Sequence, residues 1–332
     1  MHPPTTPRRV ARGFRHRMLG RMSLPSSAAL GPLAPHLTDP RCTDVFLNPD
    51  GAVWVDRGDG ARPVRGLRVP PGEARELAVR LIAAGGRHLD EATPCADVRI
   101  GDGIRVHAVL PPVSPDAAVV SIRLPRADPL SLDALEAQGF FAQMPRARLD
   151  ELVARRANLL VTGAGGSGKT TFLGALLSAA PAGERIVVIE DVGELRIAHP
   201  HVVRLEARQP NLEGAGAIGL DRLVREALRM RPDRLVVGEC RGAELRELLI
   251  ALNTGHDGGA GTLHANSLAD VPARLEALGT LVGWSAETTA RQAVSALDAV
   301  LHLERAPDGR RRLAEWGALR LGARGRLRVD AV

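Results

Sequence analysis

Residues 163–171 read Gly163-Ala164-Gly165-Gly166-Ser167-Gly168-Lys169-Thr170-Thr171. Glycines in such a run let the backbone curl until successive N–H groups converge on an anion. Lys169 supplies a point charge that reaches the outer phosphates of a nucleotide. Thr170 supplies a hydroxyl for magnesium. The chemistry this pattern serves is phosphate binding and phosphoryl transfer, with ATP and Mg2+ as the expected ligands. Lys169 is the only lysine in the 332 residues; every other fixed cation is arginine.

A loop of this kind works only between a strand and a helix. Leu159, Leu160 and Val161 precede it as a short apolar run. Phe172, Leu173, Leu176 and Leu177 follow at helical spacing. The helix adds its positive N-terminal end to the phosphate site. The alternation continues downstream. Strand-like runs at 159–162, 186–190, 202–206 and 234–239 are interleaved with helical patterns at 169–179, 220–230, 242–253 and 270–279. This predicts an α/β domain with a mostly parallel sheet and helices on both faces.

Three further groups can take part. Glu190, Asp191 and Glu194 follow the strand 186–190, where carboxylates can orient water or hold hydrated magnesium. Glu239 ends the apolar run Leu235-Val236-Val237-Gly238. A carboxylate there polarises the attacking water, holds magnesium, or both. Gly238 stands where a magnesium-binding aspartate often sits, so Glu239 carries this work or shares it with Glu190, Asp191 or Glu194. The segment 254–267 crowds glycines around His256 and His264, and reads as a mobile loop able to sense the terminal phosphate. No third ligand stands at metal-site spacing there. Arginines cluster at Arg229, Arg231 and Arg234, with Arg241 beyond, and can neutralise phosphoryl charge.

Upstream, residues 36–125 read as a small α+β domain. A hairpin spans 43–56 around Asn48-Pro49-Asp50-Gly51. A helix covers 72–84, and strands follow at 97–100, 103–109 and 117–124. Residues 1–35 read as a basic, disordered arm with a short helix near 12–22. Residues 126–145 read as a linker with a helical start capped by Ser131, and 146–332 as the ATPase domain.

Net charge is +6, which permits an anionic partner, but 2% aromatic residues and no tyrosine argue against stacking platforms for single strands. Nucleic acid is therefore possible and not favoured. Cys42, Cys95 and Cys240 are far apart and unsuited to a metal site, and their odd number suits a reducing compartment. No signal peptide or 18-residue apolar span is visible. The expectation is a cytoplasmic protein that reaches a membrane only through partners.

Together these residues resemble the type II/type IV secretion ATPase superfamily, in particular the TadA/CpaF branch that drives tight-adherence (Flp) pili. The acidic box of that family matches Ile189–Leu195. Its Arg-Met-Arg-Pro-Asp-Arg matches 229–234. Its Gly-Glu-x-Arg-Gly Walker B matches Gly238–Gly242, and its histidine box matches 253–258 and 262–266. Ala164 and Gly165 depart from the Gly and Thr common in the family's loop. The resemblance implies a RecA-like second domain, a ring-shaped homo-hexamer, and motion passed to an inner-membrane platform protein. It also implies that Arg123 and Arg105 of the first domain lie near the nucleotide phosphates. Arg105 alternates with Ile104 and Val106, so it faces away from the core they enter. The alternatives are a conjugal, DNA-transfer ATPase and a nucleotide-gated scaffold without productive turnover.

Overall fold

Alternating apolar residues build the first sheet. The computed structural model of the protein describes residues 30–101, 103–124, 129–141, 143–208 and 215–332. The chain divides into two compact units, Met1–Ala127 and Asp128–Val332.

In the first unit, β1 (Asp44–Leu47) and β2 (Ala52–Asp56) form the expected hairpin. β3 (Arg62–Arg68), β4 (Cys95–Ile100), β5 (Ile104–Val109) and β6 (Val119–Arg123) complete an antiparallel sheet in the order β3-β2-β1-β6-β5-β4. α1 is the single turn Ala34–Leu37 and α2 runs Pro71–Ala84. One face of the sheet holds Val45, Leu47, Val98, Ile104, Val106 and Ile122 against Leu77, Leu81 and Ile82 of α2. Each such fully buried Leu or Ile contributes about 1.5–3 kcal/mol. β3 was not legible in the sequence. It is an edge strand, mostly exposed, whose Val64 and Leu67 are only partly buried and do not alternate.

Leu30, Leu33 and Leu37 are buried in this core. Residues 30–35, expected as part of a disordered arm, are therefore docked. The helix expected near 12–22 lies outside the described residues.

The second unit starts with α3 (Leu132–Ala137), capped by Ser131 whose hydroxyl accepts from the Ala134 N–H, and α4 (Arg146–Ala154). Residues 129–141 and 143–145, expected as linker, belong to this unit's core. Phe140, Phe141 and Met144 are buried, and the Phe140 and Phe172 rings are 5.3 Å apart.

The strands that follow are β7 (Leu159–Gly163), β8 (Ile186–Glu190), β9 (Val202–Glu206), β10 (Arg234–Val237), β11 (Ala260–His264), β12 (Ala299–Arg305), β13 (Arg311–Leu321) and β14 (Leu327–Ala331). The helices are α5 (Lys169–Ser178), α6 (Leu220–Leu228), α7 (Glu244–Leu252), α8 (Val271–Leu281) and α9 (Ala286–Ala296). The sheet order is β14-β13-β12-β7-β11-β10-β8-β9. β12 through β9 pair in parallel, while β13 and β14 add an antiparallel hairpin.

Successive residues of the central strands enter different cores. Leu160, Val187, Ile189, Leu235, Val237, Leu263 and Val300 pack with α6–α9. Leu159, Val161, Ile186, Val188, Val236 and Leu301 pack with α3–α5. Burial on both faces explains why these strands read as continuous apolar runs. α9 and β12–β14 were not anticipated from the sequence. Among the described residues, no helix is long and apolar enough to cross a membrane.

Candidate nucleotide site

Four parallel strands deliver the chemistry to one edge. β7 ends at Gly163, which pairs with His264 at the end of β11. β10 lies on the other side of β11 and leads into Gly238 and Glu239. β8 follows, so Glu190 comes beside Gly238. Ligands bind beyond the carboxyl ends of such strands.

The loop between β7 and α5 needs its glycines for stated reasons. Gly166 and Gly168 take φ of +73° and +97°, a region that costs other residues about 1 kcal/mol or more. A Cβ on Gly163 would lie 2.4 Å from the Leu303 carbonyl oxygen. α5 begins without a side-chain cap and without acidic residues in its first turn, so its N–H groups are left for an anion. Ser167 is buried and its Oγ has no partner among the described residues.

Lys169 is buried. Its ammonium donates to the carbonyls of Gly163 (3.0 Å) and Ala164 (2.9 Å) and lies 3.4 Å from His264 Nδ1. Burial holds its pKa below the ordinary lysine range, with Glu239 opposing the shift. His264 Nε2 stands 2.5 Å from Glu239 Oε1, and Arg241 is 2.5 Å from Glu239 Oε2. Glu239 Oε1 accepts no hydrogen bond among the described residues. Burial and the nearby Lys169 lower the His264 pKa. The arrangement therefore favours a neutral imidazole with Nδ1 facing the ammonium and its proton on Nε2. Lys169, His264, Glu239 and Arg241 thus form one chain of close polar contacts across the strand ends, with the neutral imidazole between the Lys169 cation and the Glu239 carboxylate.

Glu190 is buried, and burial raises its pKa. Its Oε1 accepts from the N–H groups of Glu194 and Leu195, each at 2.8 Å, which fixes the acidic turn. Its Oε2 is buried without a donor among the described residues. Magnesium bound to a nucleotide keeps several waters and takes one or two carboxylates. Glu190 Oε2 and Glu239 Oε1 are buried and accept no hydrogen bond among the described residues, and with the Thr170 hydroxyl they could hold it.

A Cβ on Gly238 would lie 2.7 Å from Glu190 Cγ. The space of an aspartate at this position is filled by Glu190 itself, which gives the glycine a steric cause. Gly238→Ala is expected to displace Glu190 and cost about 1–3 kcal/mol of stability. A lowered melting temperature with loosened amide protection at Glu194 and Leu195 checks this. Unchanged values would show that Glu190 yields without cost.

The histidine box departs from its expected character. Residues 260–264 are a central strand between β7 and β10 and no part of a mobile loop. His264 is consequently held by the sheet. His256 stands outside the Lys169–His264–Glu239 chain, and its Nδ1 is buried without a partner among the described residues. Of the clustered arginines, Arg234 begins β10 at the far end of the sheet. It is buried against Glu184 and the Val153 carbonyl, so it is structural. Arg241 is the member of the group that reaches the site.

Arg123 and Arg105 are cross-strand neighbours on β6 and β5 of the first unit. Arg123 donates to Asp44 and Arg105 to Asp97, each at 3.3 Å. Ile104 and Val106 are buried while Arg105 is half-buried, as the alternation requires. Sequence reasoning missed the buried pair Thr162–His302, whose Oγ1 and Nδ1 are 2.9 Å apart beneath the loop. Only the register of β12 on β7 brings them together.

The chain is similar to known proteins over most of its length. The family model described as type II/IV secretion system protein matches residues 27–318. A Mycobacterium tuberculosis protein named for conjugal transfer is 46% identical over 91% of this chain and 87% of its own. Protein VirB11 of Agrobacterium fabrum is 31% identical over 71% of this chain and 75% of its own. Among solved structures, the pilus retraction motor PilT with bound ADP superposes with a TM-score of 0.60 at 18% identity, over 90% of this chain and 80% of its own. That last likeness concerns the fold alone. The chain belongs to the type II/IV secretion system protein family.

Proposed function

We propose that this chain hydrolyses ATP, with magnesium, at the loop 163–171 and uses the turnover to drive a pilus-assembly or secretion machine. The observation that carries the reading is the convergence of Lys169, His264 and Glu239 at the ends of three parallel strands. In this reading Lys169 holds the outer phosphates. Thr170 with Glu190 and Glu239 holds magnesium through its water shell. Glu239 polarises the attacking water, and the His264 imidazole reports on the terminal phosphate. Gly163, Ala164, Gly165, Gly166, Ser167, Gly168 and Thr171 shape the cradle.

Arg123, with Arg105, is the proposed source of further positive charge from the first unit. A homo-hexamer, an inner-membrane platform protein as partner, a position at the inner face of the membrane, and Flp pili as the product rest on the family likeness. The boundaries proposed for the units follow their cores, about 30–124 and 129–332.

Phosphate release from ATP by the purified chain, measured beside Arg123→Ala, tests the reading. Arg123 is mostly exposed and its pair with Asp44 is a surface pair, so its loss leaves stability nearly unchanged. A charge-assisted contact to the terminal phosphate is worth about 1.5–3 kcal/mol. Turnover of Arg123→Ala should therefore fall about tenfold to a hundredfold with nucleotide still bound. Parental turnover in this variant removes Arg123 from the site. A wild-type chain that binds ATP and never releases phosphate supports the nucleotide-gated scaffold.

A DNA-transfer role is the second reading, favoured by relatives named for conjugal transfer, such as TrbB of Rhizobium radiobacter, 30% identical over 83% of each chain. Duplex DNA binding that survives physiological salt would support it, because purely phosphate-driven binding weakens steeply there.

A further inference from the structure

The C-terminal hairpin reaches the phosphate loop. β12 runs parallel to β7 with Leu303 beside Gly163, so the end of β12 lies alongside the start of the loop. The turn 306–310 reverses the chain: the Ala306 N–H donates to the Arg310 carbonyl at 2.8 Å, and Gly309 takes φ +83°. Arg311, the first residue of β13, is paired with Arg305. This topology places Arg311 at the loop's edge of the sheet. Its Nε donates to the Gly166 carbonyl at 2.8 Å. Its Cδ lies where a Cβ on Gly168 would come within 3.0 Å. The aliphatic arm therefore covers Gly168 while the head holds Gly166.

We propose that Arg311 is the positioning residue of the phosphate loop, fixing its shape from the C-terminal hairpin before nucleotide arrives. The proposal rests on the reading of 163–171 as a nucleotide site. The peptide plane between Gly166 and Ser167 is held at both ends. Arg311 binds its carbonyl, and its N–H, which points the opposite way in a trans peptide, donates to the Ala164 carbonyl at 3.3 Å. The carbonyls of Gly163 and Ala164 are in turn held by Lys169. A loop rich in glycine is soft, and ordering it on binding weakens affinity. Arg311 removes part of that cost by holding the Gly166 carbonyl, while Lys169 holds those of Gly163 and Ala164. It touches loop backbone and is argued to act through it, so its effect belongs in nucleotide affinity and KM more than in kcat.

The test uses the full chain carrying Arg311→Ala, Arg311→Lys or, as control, Arg310→Ala. Arg310 is almost fully exposed beside Asp308. Without nucleotide, Arg311→Ala should speed amide exchange across 163–169 by about fivefold to tenfold, the loss of one charge-assisted bond at a partly exposed site. Arg310→Ala should leave it unchanged. The Kd of a fluorescent ADP analogue and the KM for ATP should rise by a similar factor, with kcat within about threefold. Arg311→Lys should recover most of both, since an ammonium can still donate to the Gly166 carbonyl. Parental exchange and affinity in Arg311→Ala overturn the proposal. So does a defect in Arg311→Lys equal to that of Arg311→Ala, which would assign the residue to folding. If the wild-type chain binds no adenine nucleotide, the nucleotide reading itself fails, while the exchange comparison still decides whether Arg311 sets the loop.

Discussion

Lys169→Ala is expected to lower ATP turnover by about 10²–10³-fold or more, the scale of removing one preorganised charge from a transition state. Lys169 sits at the centre of the site: its ammonium bridges two loop carbonyls and faces His264. Truncation removes the cation and leaves those carbonyls without that donor, so affinity should fall together with rate. The composition offers an independent check. Lys169 is the only lysine in the chain, so an amine-directed acylating reagent can mark only it and the α-amino group. Its pKa is lowered by burial, which raises the neutral, nucleophilic fraction at a given pH. ATP should protect it, and intact mass should show one label lost. Labelling that ignores ATP, or a Lys169→Ala chain turning over at the parental rate, would remove this lysine from the phosphate site.

How much of this site was legible depended on what each glycine was for. In the loop 163–168 the glycines serve positive φ and close approach, and they stand beside Lys169 and Thr170, so the motif announces itself. In 255–261 the same residue type pointed to mobility and misled. Gly259, just before β11, and Gly261, within it, are buried where α7 packs against the sheet. A Cβ on Gly259 would fall 2.2 Å from Leu252 Cδ2, and one on Gly261 would fall 3.3 Å from Leu248 Cδ2. Their cause is helix–strand contact, which leaves no local signature in sequence. Prolines misled in the same manner around 129–145, where Phe140 and Phe141 gather on Phe172 of α5. Thr162–His302 and Arg311–Gly166 were out of reach because each joins residues 140 or more apart through strand register. Arg311 also offered no contrast in a chain where all cations but Lys169 are arginine or histidine.

Glu239→Gln is expected to retain nucleotide while turnover falls by about 10²–10⁴-fold, the range for a lost general base. Glu239 has the His264 imidazole beside one oxygen and Arg241 paired with the other, and Gln keeps the size while removing the charge. Glu190 should behave differently. One of its oxygens is committed to the N–H groups of Glu194 and Leu195, and burial already raises its pKa, so its neutral form is less foreign to the fold. Glu190→Gln should accordingly cost less rate and more stability than Glu239→Gln. A structural Glu190 also predicts loosened protection in 191–195, which Glu239→Gln should not share. The discriminating measurement is single-turnover hydrolysis beside equilibrium binding for both variants. Equal loss of binding and turnover in Glu239→Gln would move that residue from the water to magnesium retention, and a larger rate loss in Glu190→Gln would exchange the two assignments.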